Sequence, residues 1–193
     1  MQMYTSFSKS VHRNSYEKGK IMKTSAIVTE MARKTSWAPT SIEAEGVAQI
    51  TTGLNQLLAN VFALYLKTKN FHWHVSGPHF REYHLLLDDQ AAEILSIVDA
   101  AAERVRKIGS TTIHSIGEIA QLQTIQDNND IAVNAQTMLE ILMEDNQRLG
   151  QELRALHTIT DQYDDYATTN LLDDWIDQAE QRVWFLYETI QNA

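Results

Sequence analysis

The chain has no cysteine at all, and only two prolines and seven glycines among its 193 residues. Without thiols there is no disulfide framework and no thiolate metal site, so a bound metal would have to be held by imidazole and carboxylate. So few helix breakers, set beside abundant Ala, Leu, Gln and Glu, favour an all-α chain. No apolar run is long enough for a membrane span or for the core of a secretory signal. The composition is that of a soluble, cytoplasmic protein, and the length suits one domain with a sizeable core.

Charge is unevenly spread. Residues 1–40 hold seven basic side chains (Lys9, Arg13, Lys18, Lys20, Lys23, Arg33, Lys34) against Glu17 and Glu30, a balance of +5, which leaves −14 for the remainder of a chain whose total is −9. Serine, threonine and little hydrophobic patterning mark residues 1–39 as a flexible basic tail preceding a domain over 40–193. An Arg-rich transit peptide is the alternative. Met22 and Met31 also allow a later start.

Four long amphipathic segments follow. Helix A is expected from Thr40, where Thr40 and Glu43 form a capping box behind Pro39, to about His74 before Gly77 and Pro78. Ile50, Leu54, Leu57, Leu58, Val61, Leu64, Tyr65 and Thr68 supply its apolar face. Helix B spans about Pro78 to Ile108, stopping at Gly109 with Arg104, Arg106 and Lys107 in its last turn. A long connection follows, with a short helix over 115–123. Helix C is read from Asp130 to about Thr158, and helix D from about Thr168 to Gln191, with Trp184, Phe185 and Leu186 assigned to the core. A long crossover of this kind joins two parallel helices of a four-helix bundle.

The chemistry is concentrated on helix B. His84 and Asp88 are four residues apart, as are Asp99 and Glu103, so each pair shares a helix face. Taken singly, such a pair is more often part of a solvated surface. Here the surrounding Leu85, Leu86, Leu87, Ala91, Ala92, Ile94, Leu95, Val98, Ala101 and Ala102 make the helix apolar nearly all round, and carboxylates in such a setting need a partner or a metal. The two pairs lie on one stripe but about 16 Å apart along the axis, too far to share one ion within a chain. The spacing is nevertheless symmetric about the Glu93–Ile94 midpoint. Two copies crossing antiparallel there would bring His84 and Asp88 of one against Asp99 and Glu103 of the other, making two equivalent sites. His72, alone, would be read as a cap or packing residue. Its position twelve residues before His84 adds it to the set.

These residues resemble the Dps mini-ferritins, the DNA-protection proteins of starved bacteria. The pattern is His72-Trp73 at the end of the first long helix, a Ser76-Gly77-Pro78 turn, His84 with Asp88, and then Asp99 with Glu103, and the likeness runs from about Ile42 to Gln191. The resemblance implies a ferritin-like four-helix bundle, with the short crossover helix at the two-fold, assembling as a hollow dodecamer. It implies that His72, His84, Asp88, Asp99 and Glu103 are ferroxidase ligands and that ferrous iron is oxidised there, preferably by hydrogen peroxide rather than dioxygen, to a stored ferric mineral. A peroxide-handling protein also gains from having no oxidisable thiol. The resemblance further implies a threefold iron-entry pore near Asp161, Asp164 and Asp165, for which a solvated, helix-capping loop is the alternative. Asn170 stands where some members carry another aspartate. Trp73 is a candidate radical quencher, or simply a packing residue of the dimer seam. The absence of any E-x-x-H argues against a bundle-centred di-iron site. Zinc and manganese suit the same ligands. A nucleoid protein that compacts DNA through its basic tail, with a vestigial metal site, is the alternative function, and a purely structural helical oligomer is a third.

Overall fold

The computed structural model describes residues 37–191. The tail reading therefore lies almost wholly outside the described residues. The domain is built from α1 (Ala44–His74), α2 (Phe80–Lys107), the short α3 (Ile116–Leu122), α4 (Ala135–Gln162) and α5 (Tyr166–Ile190), with no strand among the described residues. α1 and α2 form one antiparallel hairpin and α4 and α5 the other. α1 packs on α4, and α2 more lightly on α5. Cross-links set the directions: Lys67 of α1 pairs with Asp145 of α4 and Arg104 of α2 with Asp165 at the start of α5. α2 and α4 consequently run parallel, and the segment carrying α3 is the crossover between them.

The helix ends show where side chains override a simple reading of the pattern. α1 starts at Ala44, four residues after Thr40, because the Thr40 hydroxyl accepts from Ile42 N–H in a local turn and no side chain caps the helix at Glu43. The expected capping box is therefore not made. α4 starts at Ala135 instead of Asp130, since Asn134 is the cap that accepts from Thr137 N–H. It continues to Gln162, beyond the expected end at Thr158. There Asp165 N–H bonds Thr160 C=O and Asp164 N–H bonds Asp161 C=O, the paired closure of a Schellman turn, with Asp164 at φ 54° in the left-handed place usually given to glycine. α2 closes in the same way with Gly109 at φ 83°.

Ile50, Leu54, Val61, Leu64, Leu87, Ile94, Ile97, Leu139, Leu142, Leu149, Leu153, Leu172 and Leu186 are fully buried between the two hairpins. Trp184 and Phe185 are not core residues: they are 59% and 41% exposed, because the inward line of α5 runs through Leu172, Trp175, Ala179, Arg182 and Leu186. The core also contains charge. Lys67 and Asp145 meet at 2.5 Å, and Arg182, 1% exposed, donates to Asn146 Oδ1 at 2.7 Å and to Glu93 Oε2 at 2.6 Å. Burial pushes the Arg182 pKa down, while the hydrogen bond and charge of Glu93 act against that.

Asn60 holds the crossover in place. Its side chain accepts from Thr124 N–H at 2.6 Å and Ile125 N–H at 3.2 Å and donates to Glu152 at 2.6 Å. A fully buried asparagine satisfied on both sides pins an otherwise irregular segment.

Candidate metal centre

The turn between α1 and α2 folds the end of one helix over the start of the next. Gly77, at φ 114°, and Pro78 permit the reversal. It brings His72 and His84 face to face, their ring centroids 3.7 Å apart and their planes 23° from parallel. His72 Nδ1 lies 2.8 Å from the His84 carbonyl oxygen, and His84 Nδ1 lies 2.9 Å from the His72 carbonyl oxygen. A carbonyl can only accept, so each neutral ring carries its hydrogen on Nδ1 and presents a bare Nε2. Orienting the ring through the nitrogen away from the metal is how proteins prepare histidine ligands.

Asp88 lies one turn beyond His84. Its Oδ1 is 3.9 Å from His72 Nε2, a gap that one ion bound about 2.1 Å from each donor would span. The same oxygen accepts a 2.6 Å bond from Lys69, one turn before His72 on α1. That hydrogen bond holds the Asp88 carboxyl below the usual carboxylate range, and the charge of Lys69 acts in the same direction.

Asp99 and Glu103 are on the same helix face as Asp88 but further along, and both are exposed. Glu103 Oε2 takes a 2.8 Å bond from Lys107, which lowers its pKa. Within one chain, no three His, Cys, Asp or Glu side chains among the described residues converge on a point where a metal could sit. His72 stacks on His84 and lies 3.9 Å from Asp88, and Asp99 and Glu103 stand apart further along α2. Between them the stripe exposes Ala92 and Leu95, the latter 41% exposed, and Leu85 and Phe80 flank its start at 44% and 45%. The apolar character of helix B is thus not absorbed by its own bundle. The face that carries the donors is left open.

The three aspartates of the α4–α5 turn have different surroundings. Asp161 and Asp164 are exposed, and Asp164 accepts from the Tyr166 hydroxyl at 2.8 Å. Asp165 does not fit a pore lining: its side chain is 1% exposed, caps α5 through Thr168 N–H at 3.1 Å and pairs with Arg104. Helix capping, the blander alternative, describes it. Trp73 is 59% exposed and borders an open groove with Leu66, Asn70 and Ile131.

Lys69 and Lys107 are the residues at this site that sequence reasoning missed. Lys107 stands four residues after Glu103, so that pair was visible as a helical i,i+4 spacing. Lys69 meets Asp88 only through the turn, which no spacing shows.

Residues 51–193 match the family model described as a ferritin-like domain. A low temperature-induced protein of Nostoc is 33% identical over 72% of this chain and 78% of its own length. A DNA protection during starvation protein of Brevibacillus brevis is 32% identical over 69% of this chain and 89% of its own. The crystal structure of a Dps protein from Bacillus brevis superposes with a TM-score of 0.74 at 29% identity, covering 77% of this chain and 99% of that one.

Proposed function

Because the chain belongs to the Dps mini-ferritins of the ferritin-like family, we propose that it oxidises ferrous iron at sites shared between two copies and stores the ferric product in a hollow dodecamer. The observation that carries this reading is the reciprocal histidine pair, which leaves both Nε2 atoms bare and sets His72 Nε2 3.9 Å from Asp88, on the same exposed stripe as Asp99 and Glu103. With Asp99 and Glu103 supplied by a partner, the set becomes two imidazoles and three carboxylates. Hard oxygen donors with borderline nitrogens suit ferrous and ferric iron.

Iron is the substrate. The carboxylates neutralise it and favour the ferric state, while the imidazoles complete part of the coordination shell. Hydrogen peroxide is the preferred oxidant, with dioxygen the alternative. Two ferrous ions each give one electron to one peroxide. With two waters they yield two FeO(OH) and four protons, so charge and oxygen balance. Taking both electrons at one place leaves no hydroxyl radical to reach DNA, and Trp73, next to a ligand, is available to quench one that forms. The negative charge beyond residue 40, with Asp161 and Asp164 at the α4–α5 turn, draws cations toward the assembly.

The protein would work in the cytoplasm. A second reading rests on the +5 balance of the first forty residues, which suits weak, sequence-independent contact with DNA phosphates and association with the nucleoid. The test of the main reading is ferric absorbance on adding ferrous iron and peroxide to metal-free protein. It should grow far faster than in buffer and leave the iron in the protein fraction; growth at the buffer rate would reject the reading. A plasmid mobility shift tests the second.

A further inference from the structure

Both halves of the centre are already held by lysine. Lys69 Nζ is 2.6 Å from Asp88 Oδ1 and Lys107 Nζ is 2.8 Å from Glu103 Oε2. The oxygen that Lys69 holds is the one facing His72 Nε2 across 3.9 Å, so an ion bridging these two donors competes with the ammonium for it. Lys69 is only 17% exposed and reaches Asp88 across the helix pair, whereas Lys107 is 60% exposed and reaches one turn back along its own helix.

We propose that Lys69 and Lys107 are placeholder cations that occupy the centre before iron and are displaced by it. The proposal rests on the shared-site reading. In such a site Asp88 of one copy and Asp99 and Glu103 of the other carry three negative charges. Two ammonium groups reduce that to one, the same balance that a single divalent ion would leave. Without them, closing the seam would press three carboxylates together unneutralised. Lysine suits this task better than arginine, because its ammonium is a compact point charge on a flexible stem and gives up a single oxygen without breaking a bidentate fork. The metal-free assembly is thereby held closed, and the first ion binds less tightly than the bare donor set would allow.

The experiment is calorimetric titration of redox-inert Zn²⁺ into metal-free full-length protein, with melting curves before and after. In the double variant Lys69→Met/Lys107→Met the tight Zn²⁺ sites should bind roughly tenfold more strongly, since neither ammonium competes for the carboxylates. Its metal-free melting temperature should fall, and its rise on Zn²⁺ binding should exceed the wild-type rise. Lys69→Arg keeps a cation there in a firmer fork and should bind Zn²⁺ no more strongly than wild type. Should the double variant fail to assemble, Lys107→Met alone should bind about threefold more strongly. Unchanged or weaker binding by the Lys→Met variants would overturn the proposal. Asp99→Ala separates the two levels. If it retains the tight sites, the shared centre is wrong and the lysine proposal falls with it. If it loses them while the Lys→Met variants titrate like wild type, only the lysine proposal falls.

Discussion

His72 and His84 exchange hydrogen bonds, each ring Nδ1 donating to the other's backbone carbonyl, at 2.8 and 2.9 Å. The exchange ties the last turn of α1 to the first turns of α2 and sets the tautomer of both rings. His84→Ala should therefore have two effects, loss of tight metal binding and loss of a helix–helix link. The second should cost about 1–2 kcal/mol in metal-free protein, measured by urea unfolding. Asp99→Ala removes a proposed ligand that is exposed and makes no such link. It should abolish tight metal binding and leave the metal-free urea midpoint where it was.

Asp165 is predicted to be a stability residue and not an iron-entry residue. Its carboxylate is shared by Arg104, Thr168 N–H and the Thr168 hydroxyl, so Asp165→Ala would strand a largely buried guanidinium and uncap α5. A loss of about 3 kcal/mol is expected. A variant as stable as the wild type would show that the buried pair contributes nothing.

Asp161 and Asp164 remain the candidates for drawing in iron. Asp161→Asn/Asp164→Asn should slow iron oxidation at low ionic strength and flatten its salt dependence, with Zn²⁺ affinity at the oxidation centre unchanged. Asparagine is the proper replacement at position 164, where φ is 54° and alanine would add backbone strain. An unaltered rate at low salt would return both residues to a solvated loop.

The three- and four-residue spacings were enough to give the helix count and the crossover and to pick out His84, Asp88, Asp99 and Glu103 as candidate donors, because a 3.6-residue period and i,i+4 pairs are properties of one helix at a time. What they could not give depends on how helices meet. Thr40 bonds within its own turn, Asn134 caps α4 four residues beyond the expected start at Asp130, and Asp165 finds Arg104 sixty-one residues away. Trp184 and Phe185 looked like core, yet Arg182 is the residue that turns inward, since Glu93 and Asn146 are there to receive it. Replacing Glu93 by alanine should accordingly cost about 3–5 kcal/mol, by leaving that cation buried and under-paired.

Any DNA binding must come from the basic tail, because the remaining chain carries −14. Deleting residues 1–34 should remove plasmid retention at low salt. In the full-length protein, retention should fall with a log–log salt slope of about −0.9 per phosphate neutralised. Equal retention by both forms would take the tail out of the account, and none by either would leave iron handling as the sole activity.

The claim on which the rest depends is that each centre takes donors from two chains, and mixing two inactive variants measures it. Asp88→Ala damages one half of every centre in its own assembly, and Glu103→Ala damages the other half. Dissociated, mixed in equal amounts and reassembled, they should form mixed dimers in which one centre carries both lesions and the other none. Random pairing then restores roughly a quarter of the wild-type centres, read as the amplitude of peroxide-dependent iron oxidation. Activity that stays at the level of the separate variants, after mixed dimers have been verified by mass spectrometry, would contradict the shared centre.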